Sequence, residues 1–185
     1  PKPAKSTYIP HIMTFEETKR FFEACDQLSS IPFHSKSPKM QRRQRLVRIE
    51  VPVFYRLMYS TGMRPPEVRC LMRTDVNLQT GEVHVHNTKG YAEHILVLHD
   101  SMLHLLKQYD ERMDMMMPNR IYMFPDEDGN LYDASWQNRM FQKCWHIAND
   151  TKCVAYCFRH HYAVDNINKL IGEGIEENAR SDTNM

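Results

Sequence analysis

Two arginines and one lysine stand out by where they sit. Arg64 follows Thr61-Gly62-Met63 and precedes Pro65-Pro66-Glu67, on a tight joint between two apolar stretches. Lys89 lies in Asn87-Thr88-Lys89-Gly90-Tyr91, between two runs of alternating residues. Arg159 lies within Tyr156-Cys157-Phe158-Arg159-His160, near the start of a helical pattern. Guanidinium forks can grip phosphate oxygens, and a lysine can pass a proton to a leaving oxygen. Each residue alone is ordinary, because a surface Arg or Lys is far more often solvated or salt-bridged than catalytic. A second basic set, Lys36, Lys39, Arg42, Arg43, Arg45 and Arg48, has no acid among it. Such a stretch can neutralise phosphates by releasing counterions, or it can be a solvated helix face or loop.

The elements that must position these residues can be read from periodicity and caps. Residues 1–13 carry three prolines and no period, and read as a linker. Thr14 and Glu17 form a capping box, and Phe15, Phe22, Cys25 and Leu28 follow at helical spacing as far as Ser29. Residues 29–45 read as a polar, basic loop or helix start. An apolar helix is predicted from near Pro52 to Ser60, stopped by Gly62, and another from Pro65-Pro66 carrying Glu67, Val68, Leu71 and Met72. The period then changes. Val83 and Val85 alternate with His84 and His86, and Ile95 and Val97 with Leu96 and Leu98, which predicts a β-hairpin with Lys89 near its turn. Asp100 is expected to cap a helix from Ser101 to about Met115. Further helices are expected near Ser135–Ala148 and from Tyr156 to Ile171, followed by a frayed acidic tail from Gly172. The fold class expected is mainly α with a small antiparallel β-sheet, with one domain over 14–171 and a disordered tail over 172–185.

Composition narrows the class. The chain has 185 residues, 42% hydrophobic and 25% charged, enough for one domain with a real core. Net charge is +1, so its distribution matters more than its sum; acids collect at 110–128 and between Glu173 and Asp182. No apolar run approaches the roughly 20 residues of a membrane helix, and the N-terminus has no signal-peptide core. Five scattered cysteines read as reduced intracellular thiols, with Cys153 and Cys157 as a core pair. Met115-Met116-Met117 is expected to pack at a helix end. His84, His86, His94 and His99 invite a metal reading, but no carboxylate or thiol stands beside them at the usual spacing, so no metal and no cofactor is expected.

Taken in order, the three basic residues resemble the tyrosine recombinases, the phage-integrase class. Leu57-Met58-Tyr59-Ser60-Thr61-Gly62-Met63-Arg64-Pro65-Pro66-Glu67-Val68-Arg69-Cys70-Leu71, followed by Thr74-Asp75-Val76, matches the family's first box, an apolar helix and then Thr-Gly-x-Arg-x-x-Glu. Lys89, with Gly90 behind it and Ile95–Leu98 as return strand, resembles the family's hairpin lysine. Tyr156-Cys157-Phe158-Arg159-His160-His161-Tyr162-Ala163 matches the second box, His-x-Leu-Arg-His-x-x-Ala, except at Tyr156 and Phe158. The resemblance covers roughly residues 8–171.

What the resemblance implies is strand cleavage and rejoining through a 3′-phosphotyrosine, in site-specific recombination or integration by mobile elements. Arg64 and Arg159 would clamp the scissile phosphate, and Lys89 would protonate the leaving 5′-oxygen. Tyr156 stands in the position usually held by His. It can hydrogen-bond a phosphate oxygen, but with an ordinary pKa of ~10 it is a poorer general base. Glu67 and Asp75 would hold Arg64, and His160 would pack against the site. The family's nucleophilic tyrosine lies a few dozen residues past the second box. Here no Tyr follows Tyr162 and no His or Trp follows His161, so no nucleophile is assigned. The chain is therefore expected to be an excised or truncated piece, inactive alone. The implied partners are double-stranded DNA and further copies of the protein, as a tetramer on DNA, with no membrane. The implied setting is cytoplasmic, at the nucleoid, in a bacterium or phage. The alternatives are a catalytically inactive DNA-binding or multimer-modulating module and a type IB topoisomerase relative.

Overall fold

A computed structural model describes residues 11–30, 34–86 and 93–168. The expected tail over 172–185, most of the linker over 1–13, and Lys89 lie outside the described residues.

Helix α1 spans Phe15–Gln27. Its capping box forms as its sequence predicts: the Thr14 hydroxyl accepts from the Glu17 N–H at 3.2 Å, and Glu17 Oε2 accepts from the Thr14 N–H at 2.9 Å. The buried stripe runs through Phe21, Ala24, Cys25 and Leu28. Helical spacing predicts Phe15 in that stripe, but it is 76% exposed, since it sits on the opposite side of the first turn.

Helix α2 departs most from expectation. It spans Pro38–Thr61, so it begins within the basic segment that reads as loop or helix start and runs through the predicted start near Pro52, with Ser37 as N-cap. An interior proline removes a backbone donor and costs roughly 3 kcal/mol. Leu46, Val47 and Val51 before it and Val53, Phe54, Leu57 and Met58 after it are all buried, at about 1.5–3 kcal/mol for each large side chain, so packing outweighs the cost. Gly62 ends the helix at φ +66°, its N–H bonded to the Met58 carbonyl.

Helix α3, Pro65–Cys70, starts at once, and closes before Leu71 and Met72, where the sequence predicts that a helix continues. A single 3-10 turn, Arg73–Asp75, leads to strand β1, Glu82–Val85, which pairs antiparallel with β2, His94–Val97, in the register Glu82↔Val97 to Val85↔His94. Val83 and Val85 face the core; His84 and His86 face out. Helix α4 spans Asp100–Met116. Its N-cap is His99 rather than Asp100: the imidazole accepts from the Ser101 N–H, and His99 carries the extended backbone a cap needs. Helix α5 spans Trp136–Ala148, and a last helix, α6, covers 157–168.

The core is aromatic. Phe21 of α1, Tyr55 of α2, Phe141 and Trp145 of α5 and Phe158 of α6 pack ring against ring, with Phe21–Phe141 centroids 4.9 Å apart. This mainly helical domain with one small antiparallel sheet is the fold class expected. The core therefore reaches from the first helix to the element bearing Arg159. Cys153 and Cys157 are both buried, as a core pair should be.

Candidate active site

The loop Thr61–Arg64 is fixed by short-range bonds. The Thr61 hydroxyl donates to the Leu57 carbonyl at 2.6 Å and accepts from the Met63 N–H at 3.3 Å. Gly62 takes a left-handed turn, and the Tyr162 ring lies directly on it; a Cβ there would stand 2.4 Å from Tyr162 Cδ1. Only glycine satisfies both demands.

Arg64 is the N-cap of α3, and Glu67 holds it at two points. Glu67 Oε2 accepts from the Arg64 backbone N–H and Oε1 from its guanidinium, each at 2.7 Å. Glu67 is 4% exposed. Its carboxylate is the main cause that holds the Arg64 pKa above its ordinary value, with a smaller contribution from the neighbouring Tyr156.

Arg159 approaches the same loop from the other end of the chain. Its guanidinium donates to the Gly62 carbonyl at 2.8 Å. The register of α6 is set by Ala155, Cys157 and Phe158, all fully buried, which leaves Tyr156 on the surface and Arg159 and His160 half-buried. Tyr156 meets the His160 ring edge-on, centroids 5.3 Å apart. Arg64, Arg159, Tyr156, Glu67 and His160 are thus gathered at one joint.

Asp75 is not turned to Arg64 as expected. Its Oδ2 accepts from the Met72 N–H and its Oδ1 lies 2.9 Å from His86 Nε2, because the 3-10 turn faces the base of the hairpin. Glu67, Asp75, His84 and His86 line one cavity of about 220 Å³ between the first box and β1. Lys89 belongs to the segment beyond His86, outside the described residues.

Residues 11–173 match the family model described as the phage integrase family. The chain belongs to that family. A probable integrase/recombinase protein of Methanocaldococcus jannaschii is 29% identical over 66% of this chain and 39% of its own length. The chain thus spans well under half of that relative's length. Among solved structures, the XerA recombinase matches 91% of this chain and 54% of its own at a TM-score of 0.64 and 22% identity. A lambda integrase tetramer bound to a Holliday junction matches 87% of this chain and 42% of its own at 0.59 and 14%. At such identities the likeness establishes the fold.

The basic set of this chain divides. Lys39 contacts Asp128, Arg42 donates to the Glu127 carbonyl at 3.2 Å, and Arg43 lies 4.0 Å from Glu127 Oε1. Arg45 and Arg48 line a shallow recess of about 180 Å³ with Gln41 and Gln44, and Lys36 is exposed ahead of α2. Sequence periodicity offers no sign of the 127–128 partners, which lie more than 80 residues away.

Other supporting contacts also escape the sequence reading. His161 stacks on Tyr59 at 5.4 Å and lies 3.2 Å from Asp165; that i, i+4 spacing is a signal in the sequence. Arg73 and the fully buried Arg120 side chain share Asp110 and Asp114, tying the turn after the first box to α4. Thr151, just before the second box, donates to Glu17 Oε1 at 2.6 Å. Burial of Glu17 opposes ionisation, but this hydrogen bond, the Thr14 N–H and His11 lower its pKa to about 2. Among the described residues, no group of three or more His, Cys, Asp or Glu is placed to hold a metal ion, and no helix is long and apolar enough to cross a membrane.

Proposed function

We propose that this chain carries the phosphate-binding machinery of a site-specific DNA recombinase, which cuts and rejoins duplex DNA through a 3′-phosphotyrosine. The observation that carries this reading is the Arg159–Gly62 bond, which brings the second guanidinium to the loop bearing the first. Arg64 and Arg159 grip the non-bridging oxygens of the scissile phosphate, where charge grows as the tyrosine oxygen attacks. Glu67 orients Arg64, so the fork is set before DNA arrives. Lys89 gives its proton to the departing 5′-oxygen. Tyr156, beside Arg64, reaches a phosphate oxygen as donor rather than acting as base.

The attacking tyrosine is not assigned within these 185 residues, since none follows Tyr162 and Tyr162 packs on Gly62. Duplex DNA is the partner, and copies assemble on it, by analogy with the lambda integrase tetramer bound to a Holliday junction. The test is a nicked suicide duplex incubated with this chain. The expected result is salt-sensitive binding that weakens when Arg64 or Arg159 becomes Ala, with no protease-sensitive covalent adduct. Unchanged binding in both variants would contradict the phosphate role, and an adduct abolished by Tyr162→Phe would make Tyr162 the nucleophile.

A further inference from the structure

His86 is the last described residue of the first hairpin arm, and Glu93 is the first of the second. One step beyond the Val85↔His94 pair, the two stand across from each other, with His86 Nδ1 3.6 Å from Glu93 Oε1. The other ring nitrogen, Nε2, lies 2.9 Å from Asp75 Oδ1. Asp75 is anchored in turn: its second oxygen accepts from the Met72 N–H at 2.9 Å, and its side chain is 9% exposed. A single imidazole therefore links three pieces of chain, namely both arms of the hairpin and the turn behind the Arg64 helix. The proposal rests on the reading of Lys89, three residues beyond His86, as the proton donor.

We infer that His86 is a positioning residue, which in its imidazolium form clamps the base of the β1–β2 hairpin, whose connecting segment carries Lys89 in the sequence, to the Asp75 turn behind the Arg64 helix. An imidazolium can donate from both nitrogens at once, so it can hold both carboxylates; a neutral ring has one donor and must release one of them. Asp75, and more weakly Glu93, hold the His86 pKa above its ordinary value. The other titratable groups around it are Glu67 across the cavity and His84 and His94 on the strands. The charged form dominates below the ordinary His range, and the clamp is lost as pH rises through the folded-state pKa of His86.

The test is NMR on the full chain without DNA, which separates it from the recombinase reading. The His86 ring is titrated, and amide protection factors for 82–86 and 93–97 and the Lys89 heteronuclear NOE are followed from pH 5 to 9. Expected is a His86 midpoint above 6.5, with protection falling roughly two- to fivefold, the range of a half-exposed ion pair, and Lys89 order falling at the same midpoint. Asp75→Asn should move the midpoint back toward the ordinary value. His86→Gln, which keeps one donor, should leave protection intermediate and independent of pH. Protection or Lys89 order that stays flat through the wild-type titration would overturn the clamp, as would a His86 midpoint unmoved by Asp75→Asn.

Discussion

Arg159 donates to the carbonyl of Gly62, 97 residues earlier, at 2.8 Å. The bond joins the start of α6 to the end of α2, and it sits two residues from Arg64. The Tyr162 ring, one turn further along α6, closes the same junction by lying on Gly62. Two family boxes far apart in sequence are thus fastened through one glycine.

Gly62→Ala should therefore destabilise the domain in two separable ways. A left-handed φ of +66° costs a non-glycine residue roughly 1–2 kcal/mol, and the methyl would collide with Tyr162. Denaturant unfolding should show the larger loss in Gly62→Ala alone. Adding Tyr162→Ala should recover the clash and leave the backbone cost. Equal losses in Gly62→Ala made with and without Tyr162 would refute the packing of the ring on the glycine.

Arg120→Ala should cost about 3 kcal/mol, because it leaves Asp110 buried with only part of its compensating charge. Replacing Asp110 with Leu in the same chain removes the stranded charge, and the double variant should recover much of the loss. A cycle in which the two losses simply add would show that the pair is not coupled.

Glu50 predicts a pH dependence. It is fully buried, which raises its pKa against the opposing pull of the Tyr132 hydrogen bond at 2.6 Å, to about 8. A raised carboxyl means the folded chain holds a proton that the unfolded chain has lost. Stability should then fall as pH rises from about 4.5 to about 8, by a few kcal/mol at most. Glu50→Gln stays neutral and can still accept from Tyr132, so its stability curve should be flatter, with its advantage largest near pH 8. Parallel curves for the two proteins would exclude Glu50 as the cause.

The divided basic set gives a prediction about salt. Removing one cation that neutralises a phosphate should flatten the plot of log affinity against log salt by about 0.9. Arg45→Ala should flatten it more than Arg43→Ala, because Arg43 faces Glu127 while Arg45 is exposed beside Arg48. Fluorescence anisotropy on two unrelated duplexes measures both slopes. The reverse order would mean that the ion pairs with 127–128 open on DNA.

What the sequence reveals here follows from range. The Thr14–Glu17 box, the Gly62 stop and the Pro65 start depend on neighbours within four residues, and all three form as written. The beginning of α2 is hidden because Pro52 reads as a helix start, while the burial that carries the helix through it depends on residues from other helices. The joint of Arg64 and Arg159 is legible only as a family pattern. That pattern assigns Asp75 to Arg64, whereas its bond to His86 depends on how the hairpin lies over the turn. The pairing of Lys39, Arg42 and Arg43 with residues 127–128 is likewise an arrangement that no local spacing encodes.

The joint at Gly62 is proposed to set Arg64 and Arg159 on one phosphate. This is tested most directly by the salt dependence of duplex binding in Arg64→Ala, Arg159→Ala and the double variant, compared at matched folded fractions. If both guanidiniums grip the same phosphate, the double variant should have its slope reduced by that of a single phosphate, about 0.9, no matter how the single variants divide it. A reduction of about 1.8 would place them on separate phosphates, and an unchanged slope would remove them from the DNA interface; either result contradicts the clamp.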